Sequence, residues 1–81
     1  MKVTIEGLIT SVKEETKDSK KFTNLLIMQR GERVQVQARL EGHVGDNFEE
    51  MEKIELKGRL QAWAQRDGIG MMVMADAAQM V

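Results

Sequence analysis

The stretch FTNLLIMQRGERVQVQARL, residues 22–40, limits the architecture more than any other part of the chain. From Arg33 to Leu40 it alternates polar and apolar: Arg33, Val34, Gln35, Val36, Gln37, Ala38, Arg39, Leu40. A two-residue period is that of a strand with one buried face. Residues 22–30 read as a second strand. Gly31-Glu32 between them, glycine first, reads as a two-residue type II′ hairpin loop. Directly opposed residues then have numbers adding to 63 and share a face. One face carries Thr23, Leu25, Ile27 and Gln29 opposite Leu40, Ala38, Val36 and Val34, and is the expected core. The other carries Phe22, Asn24, Leu26, Met28 and Arg30 with Arg39, Gln37, Gln35 and Arg33.

That second face holds three arginines, three amides and three large apolar groups, with no acid in either stretch. A solvated face usually mixes lysine with glutamate and does not gather Phe, Leu and Met. Single-stranded nucleic acid asks for this mixture. Cations follow the phosphates, soft or flat apolar groups lie under bases, and amides bond base edges. The other reading is a subunit interface, with Phe22, Leu26 and Met28 as its centre and the arginines as its rim, or packing under a second layer that buries both faces of the strands.

The remaining segments supply the context. Val3, Ile5 and Ile9 share a parity that Val12 breaks, which predicts a long first strand with a bulge or bend, and Gly7 offers a point of close backbone approach. Residues 13–21, KEETKDSKK, are all charged or hydroxylated and read as an exposed, mobile connection. Asp46 with Glu49 three residues later matches a capping box, so a helix of about two turns carrying Phe48 and Met51 is expected. Ile54, Leu56, Leu60 and Ala62 mark a fourth strand with Gly58 inside it. Asp67-Gly68 is a hairpin signal, residues 71–75 a fifth strand, and the end a short tail. The whole chain, 1–81, is one domain of order β-β-β-α-β-β. It reads as a mostly β, five-stranded Greek-key OB-fold barrel with one short helix between strands three and four. An SH3-like barrel is the competitor and has no use for a capped helix there.

The predicted loop at Asp67-Gly68 makes paired numbers add to 135. Leu60/Ala75, Ala62/Val73 and Ala64/Met71 then face the core. Trp63/Met72 and Gln61/Met74 face outward, with Lys57 and Arg59 continuing that face. An outward tryptophan is a stacking platform or a subunit contact, with burial inside a bent barrel as a third reading.

The net charge of −1 conceals segregation. Residues 20–39 hold five basic residues, Lys20, Lys21, Arg30, Arg33 and Arg39, against Glu32; residues 41–55 hold six acids against Lys53. Lys13, Lys17, Lys20 and Lys21 can offer phosphate contacts, although Glu14, Glu15 and Asp18 in the same run favour plain solvation. Glu49, Glu50 and Glu52 read as solvated helix acids, not metal ligands, and no cofactor is implied.

Catalysis finds no support. His43 is the sole histidine, cysteine and tyrosine are absent, and neither Ser11 nor Ser19 has a neighbouring base in the sequence pattern. No phosphate-binding loop ends in Gly-Lys-Ser/Thr. Without cysteines there is no disulfide, and the alternating start MKVTIEGLIT does not read as a signal peptide. No run approaches a membrane span, so a cytoplasmic protein without membrane or small-molecule partners is expected.

The segment KIELKGRLQAWAQRDGIGMMVMADAAQMV, residues 53–81, resembles the last third of bacterial single-stranded-DNA-binding proteins, and VTIEGLITSV resembles their first strand. Both also look like the primosomal replication protein B group and short phage or plasmid-encoded relatives. The resemblance spans about two-thirds of the chain. It implies an OB-fold, stacking by Trp63 and Phe22, and phosphate contacts by Arg33, Arg39 and Arg59. The chain departs from those families in ending DAAQMV instead of in an acidic recruiting tail, and in having only three aromatics.

The expectation is therefore a non-enzymatic protein that binds single-stranded DNA with little sequence preference, in replication or recombination, as a homodimer or higher homo-oligomer. The expected contacts are Lys20, Lys21, Phe22, Asn24, Leu26, Met28, Arg30, Arg33, Gln35, Gln37, Arg39, Lys57, Arg59 and Trp63. The alternatives are a protein-interaction module of a replication or recombination assembly, and single-stranded RNA binding.

Overall fold

Strand patterning dominates the computed structural model, which describes residues 1–80. The elements are β1 (Lys2–Lys17), β2 (Lys20–Met28), β3 (Val36–Glu41), one 3-10 turn (Gly45–Asn47), β4 (Lys53–Gln65) and β5 (Gly68–Met80). The five strands make one sheet that closes in a ring in the order β1-β2-β3-β5-β4. Neighbours are antiparallel except β3 and β5, which run parallel and meet only at Ala38/Val73 and Arg39/Met74.

β1 turns the corner that closure requires. Lys2 to Leu8 pair with β4, and Leu8 to Lys17 pair with β2. As expected, a bulge interrupts the strand, between Ile9 and Ser11. Gly7 is the close approach: a Cβ there would meet the Met28 carbonyl oxygen and the Ile27 side chain. The ring encloses Ile5, Ile9, Leu25, Ile27, Ala38, Ile54, Leu56 and Val73, so every strand sends at least one apolar side chain inward. Among the described residues, Thr23 is the one buried polar residue. Its Oγ1 donates to the Gly42 carbonyl at 2.8 Å and accepts from the Val44 N–H at 2.8 Å, so the hydroxyl costs nothing unsatisfied.

Several expectations are corrected. Residues 13–21 are not a mobile connection. β1 runs to Lys17, β2 starts at Lys20, and Asp18-Ser19 form the turn with φ of 52° and 68°. Two successive positive φ values are the type I′ pattern that suits the strand twist. The β2–β3 register does add to 63, from Phe22/Glu41 to Ile27/Val36. The loop, however, is longer than Gly31-Glu32. Glu32 N–H bonds the Gln29 carbonyl at 3.1 Å, which puts Gly31, at φ +83°, third in a four-residue turn. A positive φ at that place does not lead straight into a returning strand. Pairing resumes only at Val36, so Arg30, Arg33 and Gln35 lie in the loop and Met28/Gln35 and Arg30/Arg33 are not paired.

The two-turn helix is likewise reduced to the 3-10 turn. Its N-cap is Val44, without a side-chain cap, and Phe48 is extended. The N–H of Met51 bonds the Ile9 carbonyl at 2.6 Å, and Ile9 N–H bonds the Glu52 carbonyl at 2.9 Å. The β1 bulge therefore claims backbone groups that a helix would need, and a nucleus this short has little to set against that.

The second hairpin turns at Arg66-Asp67, one residue earlier than expected. Paired numbers add to 133: Gln65/Gly68, Trp63/Gly70, Leu60/Val73. A shift of two leaves every side chain on its expected face. The hairpin projects past the ring, so Ala62, Ala64 and Met71 are exposed instead of core. The expected tail after Ala75 is strand through Met80, and Val81 lies outside the described residues.

Candidate functional site

The register places side chains from three strands in rows on the outer surface. Ser11, Leu26 and Gln37 are abreast, then Lys13, Asn24 and Arg39, then Glu15, Phe22 and Glu41. The middle row continues through Arg39/Met74 to Met74/Arg59 and Arg59/Lys2. A shallow depression of about 290 Å³ sits where Ser11, Lys13, Asn24, Leu26, Gln37 and Arg39 meet. Cation, amide and apolar groups thus converge within one concave patch. Four of those six residues come from the expected face. Ser11 comes from the expected first strand, and Lys13 joins because β1 extends further than its charge content suggested.

Arg39 is the organising side chain of this patch. Its guanidinium lies 4.7 Å from the Phe22 ring centroid. Its Nε donates to Asn24 Oδ1 at 2.9 Å, and its Nη2 reaches Glu15 Oε2 at 3.4 Å. Asn24 Nδ2 in turn donates to Glu15 Oε2 at 2.6 Å. Glu15 is the residue that sequence reasoning missed. It brings an acid onto a face that looked free of acids, because residues 13–21 read as connection. An oligoanion reaching Arg39 competes with that carboxylate, and a base reaching Phe22 displaces the guanidinium above it.

Lys17 and Lys20 face each other across the end of the β1–β2 hairpin, on the same side as Glu15 and Phe22. Lys21 pairs with Thr16 and faces the other way, beside His43, whose Nε2 is 3.1 Å from the Glu15 carbonyl oxygen. Met28 is exposed at the far end of the face, and Gln35 accepts from the Thr10 hydroxyl at 2.7 Å. Lys57 stands 4.0 Å from Glu55, an exposed pair of little energetic weight. Arg30 and Arg33 are solvated loop residues.

Trp63 belongs to a different place. Its indole lies across Gly70, where any Cβ would collide with it and with the Gln65 amide. It lines a cleft of about 640 Å³ between residues 29–37 and the outer part of the β4–β5 hairpin. The cleft and the depression adjoin at Gln37 and Met72. The expected contacts that come together therefore divide into two surfaces, one polar and partly cationic, the other apolar, while Lys21, Arg30, Arg33 and Lys57 join neither.

Among the described residues, no three His, Asp or Glu side chains gather as a metal site, and no helix is long and apolar enough to cross a membrane. No protein-family model matches the sequence, and no curated protein is significantly similar to it.

Proposed function

We propose that this chain is a Greek-key OB-fold protein that binds single-stranded DNA without cofactor or catalysis and with little sequence preference, in replication or recombination. The ring order β1-β2-β3-β5-β4, with its parallel β3–β5 closure, supports the fold reading. The observation that carries the functional reading is the row Lys13, Asn24, Arg39 with Leu26 and Gln37 beside it, set in a concave patch. Phosphates are drawn along Lys20, Lys17, Lys13 and Arg39, while Leu26 and the Phe22 ring meet bases and Asn24 and Gln37 reach base edges. Three or four phosphate contacts set a modest affinity. For a single strand they give a slope of log K against log salt of about −2 to −3.

The test is fluorescence anisotropy of a labelled oligo-dT at low and moderate salt, with Lys13→Ala, Arg39→Ala and the double variant alongside. The expected result is salt-sensitive binding that each single variant weakens and the double variant weakens further. Absence of binding at low salt with micromolar protein sinks the reading. An oligo-rU titration in parallel separates DNA from RNA, since only a site that uses the 2′-hydroxyl prefers the second.

A further inference from the structure

We propose that the free edge of β5 at residues 68–72 pairs antiparallel with the same edge of a second copy of the chain, making a two-fold dimer that closes the apolar cleft. β5 is bonded to β4 throughout this stretch, but on its other side β3 reaches it only at Val73 and Met74. Gly68 to Met72 are therefore left with one row of backbone donors and acceptors that no described strand takes up. Proteins ordinarily guard such an edge with lysine, proline or an inward charge. The sequence here is GIGMMVMA, residues 68–75, with neither charge nor proline.

The side chains around the edge are apolar and open to solvent. Val34 is 78% exposed, Ile69 73% and Met71 57%, with Ile69 and Met71 on one face of the hairpin and the half-exposed Trp63 on the other. A contiguous patch of this kind on a small protein marks a contact surface. Its chemistry selects the occupant. No lysine or arginine lines the cleft, and the only charged lining residue is Glu32. Phosphate is unwelcome there, so the cleft is not a continuation of the polar patch. An apolar strand fits it, and the chain itself carries one.

Symmetry fits as well. The midpoint of residues 68–72 is Gly70. A two-fold axis there sets Ile69 opposite Met71 of the second copy and Gly70 opposite Gly70. The two glycines leave room for both Trp63 indoles, one from each copy, on the same side. An edge paired with itself antiparallel is closed, so it yields a dimer and not a fibre. With a net charge of −1 per chain, two copies meet little repulsion.

Sedimentation velocity on the full chain tests this from micromolar to millimolar protein. The expected result is a concentration-dependent shift from the 9.2 kDa monomer to twice that mass. Ile69→Lys with Met71→Lys should hold the mass at monomer while the circular dichroism stays that of the parent, since both side chains are exposed. Met28→Lys, exposed elsewhere, should leave the dimer intact. Hydrogen exchange should slow at the amides of Ile69 and Met71, which point to the free edge, as the dimer fills. A parent chain that stays monomeric throughout overturns the proposal. So does a dimer that survives the double lysine variant, or one whose edge amides exchange as fast as in the monomer. Protection of those amides by oligo-dT in the monomer would give the cleft to nucleic acid instead. Oligo-dT binding at the outer patch is scored separately, so either proposal can fail alone.

Discussion

The guanidinium of Arg39 rests over the ring of Phe22, 4.7 Å from its centroid, so the cation and the aromatic best suited to a ligand are partners in the free protein. Arg39→Lys keeps the charge but loses the flat stacking surface and the fork that reaches Asn24 and Glu15. It is expected to lower the unfolding free energy by about 0.5–1 kcal/mol, read from urea denaturation. Stability equal to the parent would make this contact energetically idle.

Glu15 occupies the carboxylate position that a phosphate would take. Glu15→Gln removes the competing charge while keeping an acceptor for Asn24. Oligo-dT affinity should rise by about fivefold, corresponding to about 1 kcal/mol between two unit charges at contact in water. Unchanged or weaker binding by anisotropy would mean that Glu15 serves chiefly to position Arg39.

Thr23→Val keeps shape and removes the hydroxyl that joins Gly42 and Val44. The Val44 N–H and the Gly42 carbonyl then lack this partner, at a cost of about 1–3 kcal/mol. Hydrogen exchange should quicken across residues 42–48 more than in the strands. A uniform change would argue against a local role.

Gly58 faces β5 at another irregularity, where Asp76 is passed over between the Gly58/Ala75 and Lys57/Ala77 pairs. A Cβ on Gly58 would run into the Met74 carbonyl and the Ala75 Cα, both backbone. Gly58→Ala should therefore destabilise by about 1–3 kcal/mol or more, since no flexible side chain can yield. A thermal midpoint within error of the parent would show that β5 can shift.

Ser19→Gly is expected to do the opposite. Ser19 holds φ at 68°, and left-handed backbone costs a non-glycine residue about 1–2 kcal/mol before unfolded-state entropy offsets part of the gain. A small rise in the urea midpoint is the expected result, and a fall would show that the serine side chain contributes to the turn.

The inward positions of β2 and β3 are legible because burial imposes a period of two, whereas Val34, Ala62, Ala64 and Met71, expected in the core, are exposed. Leu25, Ile27 and Ala38 cannot move by one place without turning the core outward, so the β2–β3 register holds even though its loop is longer than Gly31-Glu32 suggests. The second hairpin slipped by two because Ala62, Ala64 and the glycines offer no large side chain to fix the pairing. The β1–β2 arm was hidden for another reason. Both of its faces are solvated, so residues 13–21 carry no hydrophobic period, and Glu15 was lost with them. Asp46 and Glu49 promised a helix from local capping alone, whereas the outcome was decided by Ile9, far away in the chain. The cation, amide and apolar composition of the outer face was visible in advance. The mutual engagement of Arg39, Asn24 and Glu15 was not, because it depends on three strands lying side by side.

The seam between β3 and β5 sets an order of events in time. Ala38/Val73 and Arg39/Met74 join positions far apart in sequence, and parallel strands cannot be linked by a short turn. The β1–β2 and β4–β5 hairpins are each joined by a two-residue turn, and both can form before any large loop is closed. The seam needs a longer loop closed than either hairpin, so it is expected to form after them, and having only two residue pairs it should also part first when the molecule fluctuates. The ring is then less a rigid hoop than a clasp, fastened last and undone first.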